Sequence, residues 1–469
     1  MQLGLNRRYL SLGGASILAL WLWSSLAGEG ELPKNVQWAI GRPVSTPDND
    51  VYDFPLLDSW QLQDICSSVE WNSSLVFTCD ENRGGIGHVR NSILNCVRYA
   101  IGAGGALVLP SIAVREMDDM EPGHSHEDGG GNGDGEGSED GDEAEMQTDF
   151  KAQRRNGRGR MGMDYMFDKN HFVDSLRKSC PELLLIRHME QTTSKRRRSL
   201  LPENLFENLP AGGIERPETW SDKLNVWIDK SMAAEPAAEP IIIDLEQSFL
   251  HYPTHSDGRE LAHHFGHILK FRPDIRRLAT KILKELSLWH EMQSFNLSEP
   301  IINPSFIGVH LATENPMGPE KRHVVNVKYS HYNAQAAAYI DQATRSRIPI
   351  MYVASGRYPD IIKLAAEAKE RKVAVTYKED LLRGKWKEEL DRLKWDQRAL
   401  VDYLVLLKGQ EFAGIGHSSF SWNVMLKRHE MGDDGVRKIL VAPGTYQDSF
   451  SKLYGVRESY VESAGCMWP

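Results

Sequence analysis

The chain has 469 residues, which is too long for one compact core and fits two domains with additional segments. With 41% apolar and 26% charged residues, the composition is that of a globular protein and excludes a chain that is disordered throughout. Thirteen acidic residues and no Lys or Arg lie between Glu116 and Glu145, and without them the formal net charge of −10 becomes +3. The rest of the chain is nearly neutral and lacks the basic surface of a nucleic-acid-binding protein, so we expect no nucleic-acid partner.

The N-terminus predicts a membrane segment. Arg7 and Arg8 precede residues 9–27 (YLSLGGASILALWLWSSLA), which are uncharged and about long enough to span a bilayer. The positive-inside rule then places residues 1–8 in the cytosol and the rest of the chain in the lumen, as a single-pass type II signal anchor in the Golgi or ER membrane. The alternative is a cleaved signal peptide, because residues 25–27 (SLA) form an acceptable cleavage site. Both interpretations send the body of the chain into the secretory pathway.

Sequons and cysteines are compatible with a luminal body. Sequons begin at Asn72 and Asn296. An odd number of cysteines in an oxidising compartment permits two disulfides and one free thiol. From proximity in the sequence we expect the pairs Cys66–Cys79 and Cys96–Cys180, with Cys466 left over. The cysteines and histidines lack zinc-ligand spacing, so we expect no zinc.

The first folded region predicts a strand–loop–helix–strand unit. Residues 28–70 are rich in Pro and Asp, and we expect a stem there. An apolar strand over 75–79 leads into a glycine loop, a helix over 89–101 and a second buried strand over 106–110. This order is typical of a βαβ unit of Rossmann type.

Two later regions predict irregular structure. Residues 115–160 are rich in Gly, Asp and Glu and then in Arg and Gly, so they bury too little apolar surface to offset the entropy of ordering. We expect a disordered insertion there, and a second irregular region over 190–240, where Ala, Glu and Pro repeat. Further strands are expected over 181–186 and 241–245, followed by a long helical region over 258–290.

The remainder of the chain alternates strands and helices, which implies a parallel sheet covered on both faces. The expected strands are 306–311, 348–354, 373–376 and 412–416, and the expected helices are 331–343, 360–372, 397–407 and 421–429. The fold class is therefore α/β, with two Rossmann-like domains over 71–300 and 301–469 that face each other across a cleft.

The glycine loop, residues 82–90 (NRGGIGHVR), has the features of a ligand-binding turn. Gly84 and Gly85 allow a tight turn and a close approach to a ligand. Arg90 falls on the first turn of the following helix, and His88 is the titratable side chain of the loop with an ordinary pKa near neutrality. The alternatives are glycines that serve packing only and a surface histidine.

A second motif, residues 416–422 (GHSSFSW), follows the strand over 412–416. Ser418 and Ser419 fall at a helix N-terminus, where hydroxyls and backbone N–H groups bind anions. Asp402 lies 16 residues before Ser418, in the helix predicted over 397–407. The alternative is a serine N-cap with Asp402 as a surface charge.

Together the two motifs resemble the site of GDP-fucose-dependent protein O-fucosyltransferases, in particular the fungal and plant O-fucosyltransferase-like group. The resemblance implies a GT-B fold and inverting transfer of fucose from GDP-fucose to a hydroxyl of a protein or glycan acceptor. It implies no metal and no cofactor besides this donor substrate, and the sequence has no Asp-x-Asp at a strand end. The implied catalytic residues are His88 and Arg90. The implied nucleotide-sugar-binding residues are Gly84, Gly85, His310, Asp402, Ser418, Ser419, Phe420 and Ser421.

The sequence departs from the family at two places. In the glycine loop, Gly87 or His88, depending on the alignment, replaces an asparagine of the family. The family carries His-x-Arg after the first strand of the second domain, and its arginine binds the pyrophosphate. Here His310 is followed by Ala312 where that arginine belongs. Arg322, Arg345 and Arg357 are nearby candidates to replace it. The alternatives to a fucosyltransferase are a non-catalytic relative that binds a nucleotide or glycan, and a transferase that uses another nucleotide sugar.

Overall fold

The structure is a computed structural model, and the residues it describes belong to one compact unit. These residues are 50–80, 82–115, 159–187, 194, 196–232, 239–313, 327–432, 440–442 and 444–469. The predicted membrane segment 9–27 and most of the predicted insertion 115–160 lie outside them. Among the described residues, no helix is both long enough and apolar enough to cross a membrane.

A parallel sheet forms the first half of the fold. Its strands in spatial order are β5 (Leu185–Ile186), β2 (Gly105–Val108), β1 (Asn72–Thr78), β7 (Ile241–Leu245) and β6 (Arg197–Leu200). The central strand β1 pairs in parallel with β2 and β7. Its last four side chains are buried, as expected of a strand covered on both faces. An antiparallel pair lies beside it, β3 (Ser111–Ala113) and β4 (Arg160–Gly162).

The helices of this half include the predicted one after the glycine loop. They are α1 (Trp60–Ser68), α2 (Ile86–Gly102), α3 (Lys169–Ser179), α4 (Trp220–Ser231), α5 (Arg259–His264) and α6 (Pro273–Trp289). In α2 the apolar side chains Ile93, Val97 and Ile101 are fully buried, because their spacing of four residues places them on one face. The helical region predicted over 258–290 is divided, and α6 begins at Pro273, whose ring suits the first turn of a helix.

The region 190–240 contains β6 and α4, so the prediction that it is irregular is wrong. β6 is an edge strand in which only the last side chain is buried, and it therefore lacks the apolar run of the inner strands. α4 buries Trp220, Leu224 and Ile228, whose spacing of four residues does carry a helical signal. The Ala, Glu and Pro repeats, on which the prediction of irregular structure was based, follow α4 in the sequence.

A second, mixed sheet forms the other half. Its strands in spatial order are β10 (Ala374–Thr376), β9 (Ile350–Ala354), β8 (Ile307–His310), β11 (Glu411–Ile415), β14 (Ser451–Val456), β13 (Gly444–Gln447) and β12 (Leu440–Ala442). The first five run parallel, and the last two form an antiparallel edge that the sequence analysis does not include. The four predicted strands of this half correspond to β8 through β11.

The helices of the second half agree with the predicted ones to within three residues at each end. The predicted four are α7 (Tyr332–Arg345), α8 (Tyr358–Lys369), α11 (Trp395–Lys408) and α12 (Ser419–Gly432). Shorter helices that were not predicted are α9 (Lys378–Leu381), α10 (Lys385–Arg392) and α13 (Glu458–Ala464). The α/β class is confirmed, and the predicted domain limits stay predictions.

The predicted disulfide pairing is wrong. The structure joins Cys66 to Cys180 and Cys79 to Cys96, with Cα–Cα distances of 5.6 and 6.1 Å. Cys79 follows β1, and the glycine loop folds α2 back along that strand, which brings Cys96 beside it. Cys66 lies in α1, and its partner Cys180 directly follows α3. Cys466 is buried and free, as the odd count requires.

Residues 50–68 are packed into the compact unit, although the sequence analysis assigns them to the stem. The hydroxyl of Tyr52 is buried and donates to the backbone carbonyl of Leu404 at 2.8 Å. Asp50 accepts a hydrogen bond of 2.9 Å from the buried guanidinium of Arg276 in α6. The folded part therefore begins before position 71.

Residues 466–469, here called the C-terminal segment, pack against α2 of the first half. The side chain of Trp468 is fully buried, and its indole N–H donates to Oδ1 of Asn95 at 2.7 Å. Its backbone N–H donates to Oδ1 of Asn91 at 2.8 Å, and its backbone carbonyl accepts from the guanidinium of Arg90. The segment that follows the second sheet is therefore bound to the helix that follows the glycine loop.

Candidate functional site

A cavity of about 760 Å³ lies at the carboxyl ends of β8, β9 and β11. It is lined by His310 at the end of β8, by Ala354 at the end of β9 and by residues 417–420 after β11. Ligands of α/β proteins bind at this edge, where loops and helix N-termini converge. The N-termini of α8 and α12, at Tyr358 and Ser419, both line the cavity, and their backbone N–H groups favour an anion.

The opposite wall comes from the first half of the fold. Gly85 and His88 line it from the glycine loop and the first turn of α2, and Arg115 lines it after β3. Gly84 has a φ of +91°, a conformation that glycine adopts without strain, and it turns the chain from β1 into α2. Gly84 thus shapes this wall from behind its lining residues.

The two predicted motifs are in direct contact across this cavity. Nδ1 of His88 lies 2.8 Å from Oγ of Ser419. Gly87 packs against the backbone of the same serine, since a Cβ on Gly87 would lie 2.5 Å from the carbonyl oxygen of Ser419. The approach of α2 to the N-terminus of α12 therefore requires glycine at position 87.

His88 is a neutral imidazole at pH 7. Burial lowers its pKa to about 4, and the positive charge of Arg115 adds to the shift. Its ring packs on Phe249 with centroids 4.0 Å apart, which excludes water from one side. In this state the ring can accept a hydrogen bond or a proton from a bound molecule.

His310 is held in place by two residues of the second motif, Phe420 and Ser421. Its Nδ1 lies 2.8 Å from Oγ of Ser421, and its ring packs on Phe420 with centroids 4.4 Å apart. Burial lowers its pKa to about 3, so it too is neutral at pH 7. Ser421 is itself buried and also accepts from the backbone N–H of Ile415 at 3.3 Å, so it positions the histidine from below the cavity.

Asp402 lies at the cavity floor with both carboxylate oxygens engaged. Oδ1 accepts from the hydroxyl of Tyr352 at 2.7 Å, and Oδ2 accepts from Nζ of Lys378 at 2.6 Å. Burial raises the pKa of Asp402 to about 6, and the ammonium of Lys378 opposes that shift. Each oxygen retains a further lone pair, so the carboxylate can still accept from a ligand.

Arg90 does not line the cavity in the described structure. Its buried guanidinium bonds the C-terminal segment and Oδ1 of Asn423 in α12, at 3.4 Å. Gly266 packs against this guanidinium, and a Cβ at Gly266 would lie 3.3 Å from Cζ of Arg90. The structure therefore places Arg90 behind the site, at a junction between the two halves.

Ala312, at the position of the family arginine, lies on the cavity wall beside Gln335. The backbone N–H of Ala312 donates to Oε1 of Gln335 at 3.0 Å, and its carbonyl accepts from Nε2 at 2.8 Å. Of the candidate replacements, Arg322 lies outside the described residues. Arg345 borders a different cavity, and Arg357 pairs with a carboxylate of α8 at 3.5 Å without lining the main cavity.

Arg115 is a cavity-lining cation that the sequence analysis placed in the disordered insertion. Its Nε and Nη2 donate to Oδ1 of Asp396 at 3.0 and 2.7 Å, and its backbone N–H donates to Oδ2 at 3.1 Å. Its guanidinium carbon lies 4.9 Å from the ring centroid of Trp395. The sequence carries no signal for the cluster of Arg115, Asp396 and Trp395, because these residues meet only after the two halves have packed together.

Comparison with known proteins gives similarity in fold. No protein-family model and no curated protein sequence matches the chain. The crystal structure of POFUT1 in complex with GDP aligns over 82% of this chain and 100% of its own, with 11% sequence identity and a TM-score of 0.41. POFUT1 in complex with GDP-fucose aligns over the same shares, with 10% identity and a TM-score of 0.43.

A plant protein is also similar. A variant of Arabidopsis thaliana FUT1 in complex with GDP aligns over 78% of this chain and 71% of its own, with 11% identity and a TM-score of 0.35. Similarities at this level say nothing about the chemistry of the cavity. Its function has to be argued from its own residues.

Proposed function

We propose that the chain is a GT-B glycosyltransferase that transfers fucose from GDP-fucose to a hydroxyl acceptor with inversion. The observation that carries the proposal is the contact of His88 with Ser419, which joins the glycine loop to a helix N-terminus beside one cavity. A volume of about 760 Å³ lies within the usual range of about 300–1,000 Å³ for small-molecule sites.

The nucleotide would occupy the second-half wall. The hydroxyls of Ser418 and Ser419 and the N-terminus of α12 suit a diphosphate. The paired rings of His310 and Phe420 offer an apolar surface. The carboxylate of Asp402 suits a base with adjacent N–H donors, and guanine has this pattern on N1 and N2.

The reaction would form one bond and break another at the anomeric carbon. The acceptor oxygen attacks that carbon, the bond to the diphosphate oxygen breaks, and GDP leaves with the bonding electron pair. The acceptor proton passes to a base, for which we propose His88, because its imidazole is neutral at pH 7 and lines the first-half wall, opposite the wall that would hold the nucleotide. Arg90 has a positioning role in this proposal, since it holds α2 and the C-terminal segment in place.

A second candidate is binding without turnover. It is supported by Ala312, whose backbone is bonded to Gln335 and which supplies no cation to a leaving diphosphate. A transferase for another nucleotide sugar is a third candidate, because Asp402 can also accept from ribose hydroxyls.

We also infer a luminal location behind a type II membrane anchor over 9–27. The disulfides Cys66–Cys180 and Cys79–Cys96 support it, since such bonds persist in oxidising compartments. The acceptor would be a protein or a glycan.

Calorimetric titration of GDP and of UDP into the full chain tests the proposal, followed by an assay of GDP release from GDP-fucose. GDP binding that exceeds UDP binding, weakened in Ser419→Ala and kept in the exposed control Ser67→Ala, supports the nucleotide site. Binding with no release across a panel of protein and glycan acceptors favours the second candidate. If neither nucleotide binds, the proposed function is wrong.

A further inference from the structure

A diphosphate at the N-terminus of α12 requires a cation, and the strand beside it does not supply one. β8 ends at His310, which is neutral, and Ala312 follows. This need for a cation rests on the proposed function, which puts a nucleotide diphosphate in this cavity. Among the described residues that line the cavity, the Lys and Arg side chains are Arg115, Lys378, Lys387 and Arg398.

All four cations contact a carboxylate, and three of them are less suited to a diphosphate than Arg115. Nζ of Lys378 lies 2.6 Å from Asp402 and 3.6 Å from Glu379, so two carboxylates offset its charge. Lys387 and Arg398 lie at the cavity edge and both contact the same carboxylate, that of Asp391. Their more exposed side chains favour solvent over a buried diphosphate.

Arg115 has the orientation and the unused donors that the role requires. A guanidinium carries five N–H donors, and two of those of Arg115 are directed at Asp396. Asp396 is 1% exposed and Trp395 covers the guanidinium, so the group is held in one orientation. Its remaining donors belong to a side chain that lines the cavity.

Arg115 lines the first-half wall, which faces the proposed diphosphate position, close to where that wall meets the N-terminus of α12. Its Nη2 is 3.9 Å from the position of a Cβ on Gly85, which begins the turn into α2. His88, three residues farther along, contacts Ser419 at the N-terminus of α12. The guanidinium is therefore adjacent to the junction of the glycine loop with the anion-binding helix.

We propose that Arg115 binds the diphosphate of the nucleotide sugar from the first half of the fold, and so takes the role left open by Ala312. Asp396 and Trp395 are positioning residues that orient its guanidinium. As the bond to the sugar breaks, negative charge grows on the diphosphate, and a fixed guanidinium stabilises that charge without reorganising.

Calorimetry with GDP and with guanosine on the full chain tests this proposal. We expect Arg115→Gln to lower the affinity for GDP by about 10- to 100-fold and to leave guanosine affinity unchanged, because glutamine removes a charge-assisted hydrogen bond to the diphosphate, a group that guanosine lacks. Arg345→Gln is the matched control, since Arg345 borders a different cavity, and it should not change GDP affinity. In the Arg115→Gln background, Ala312→Arg should recover part of the loss.

Each result has a definite meaning. Unchanged GDP affinity in Arg115→Gln overturns this inference alone, and so does an equal loss for guanosine, which would indicate a merely structural role. If the native chain does not bind GDP, the proposed function fails, and the inference fails with it. Should Arg115→Gln not fold, Arg115→Lys keeps the charge and loses the bidentate geometry. Its GDP affinity should then fall by about 10-fold, and native affinity would contradict the proposal.

Discussion

Two histidines beside the cavity affect how the protein responds to acid. The pKa values of His88 and His310 are lowered by burial to about 4 and about 3, against an ordinary value of about 6.5. At a pH between these lowered pKa values and about 6.5, the unfolded chain binds more protons than the folded one. The free energy of unfolding therefore decreases as the pH falls through this window. Each histidine contributes up to about 1.4 kcal/mol per pH unit in that window.

His310→Gln should therefore flatten the pH dependence of stability. The amide can replace the hydrogen bond to Ser421 but does not titrate. We expect the melting temperature of the variant to fall less than that of the native chain between pH 7 and pH 5, measured by circular dichroism. His331→Gln, at an exposed histidine, should keep the native dependence. Identical dependences in the native chain and His310→Gln would contradict the lowered pKa.

Gly87 offers a second test, in which the expected sign is unusual. Gly87 is the second residue of α2, and alanine inside a helix normally stabilises by up to about 1 kcal/mol relative to glycine. At position 87 its Cβ would lie 2.5 Å from the carbonyl of Ser419, so we expect Gly87→Ala to destabilise by about 1–3 kcal/mol and to weaken nucleotide binding. Urea unfolding measures the first effect and calorimetry the second.

The matched control for Gly87→Ala is Gly212→Ala. A Cβ at Gly212 would meet nothing within 4 Å, so its stability should change little. A Gly87→Ala variant as stable as the native chain would show that α2 and α12 do not approach each other as described.

At this scale, sequence patterns predicted only part of the site. The residues 417–420 and His310 follow buried strands, and motifs at strand ends are visible in a sequence. Arg115, Asp396 and Lys378 come from loops and helix ends that converge only after folding. Arg90 is in the glycine-loop motif but does not line the cavity, because a motif position does not determine which way a side chain is turned.

At the scale of elements, Arg428 holds the end of one helix onto the second sheet. Its buried guanidinium donates to the backbone carbonyls of Leu407 and Gly409, at 2.7 and 2.8 Å, at the C-terminus of α11. Its Nε donates to Oγ of Ser451 in β14 at 3.1 Å. A cation at a helix C-terminus is favourable, and here it also satisfies carbonyls that water cannot reach.

Arg428→Met should thus destabilise the protein by at least about 3 kcal/mol, since several buried carbonyls would lose their donor. Urea unfolding followed by tryptophan fluorescence measures the change. The exposed Arg371→Met serves as the control and should lie within about 0.5 kcal/mol of the native chain. A small effect at position 428 would mean that the carbonyls find other donors.

The predicted elements were those with a strong apolar pattern. The buried strands β1, β7 and β8 were expected within a few residues of their observed ends, and so were the helices α2, α7, α8, α11 and α12. β6 and the antiparallel edge of the second sheet were missed, because edge strands expose polar side chains and resemble loops in a sequence. The inner strand β14 was also missed, although most of its side chains are buried. The disulfide pairing was missed because it depends on how α2 folds back on β1, which spacing alone does not determine.

At the scale of the whole molecule, the C-terminal segment connects the two halves. Trp468 contributes a fully buried side chain to the first half, although it follows the second sheet in the chain. It also satisfies Asn91 and Asn95 of α2. The stability of the glycine-loop helix therefore depends on residues at the other end of the described chain.

Trp468→Ala should destabilise the protein by about 3–5 kcal/mol through the cavity that it leaves. Because α2 carries His88, we also expect weaker nucleotide binding. Thermal unfolding and calorimetry measure the two effects. Trp60→Ala removes an indole that is 65% exposed and should change neither. A Trp468→Ala variant with native stability would contradict the described packing.

The position of Trp468 also sets an order of events during synthesis on the ribosome. Its partner Arg90 precedes it by 378 residues, so α2 is made long before the side chain that covers it. Until then Asn91, Asn95 and Arg90 lack the backbone groups that they bond, and buried polar groups without partners are costly. The first half can therefore not complete its folding before residue 468 has been made, and until then it stays partly open.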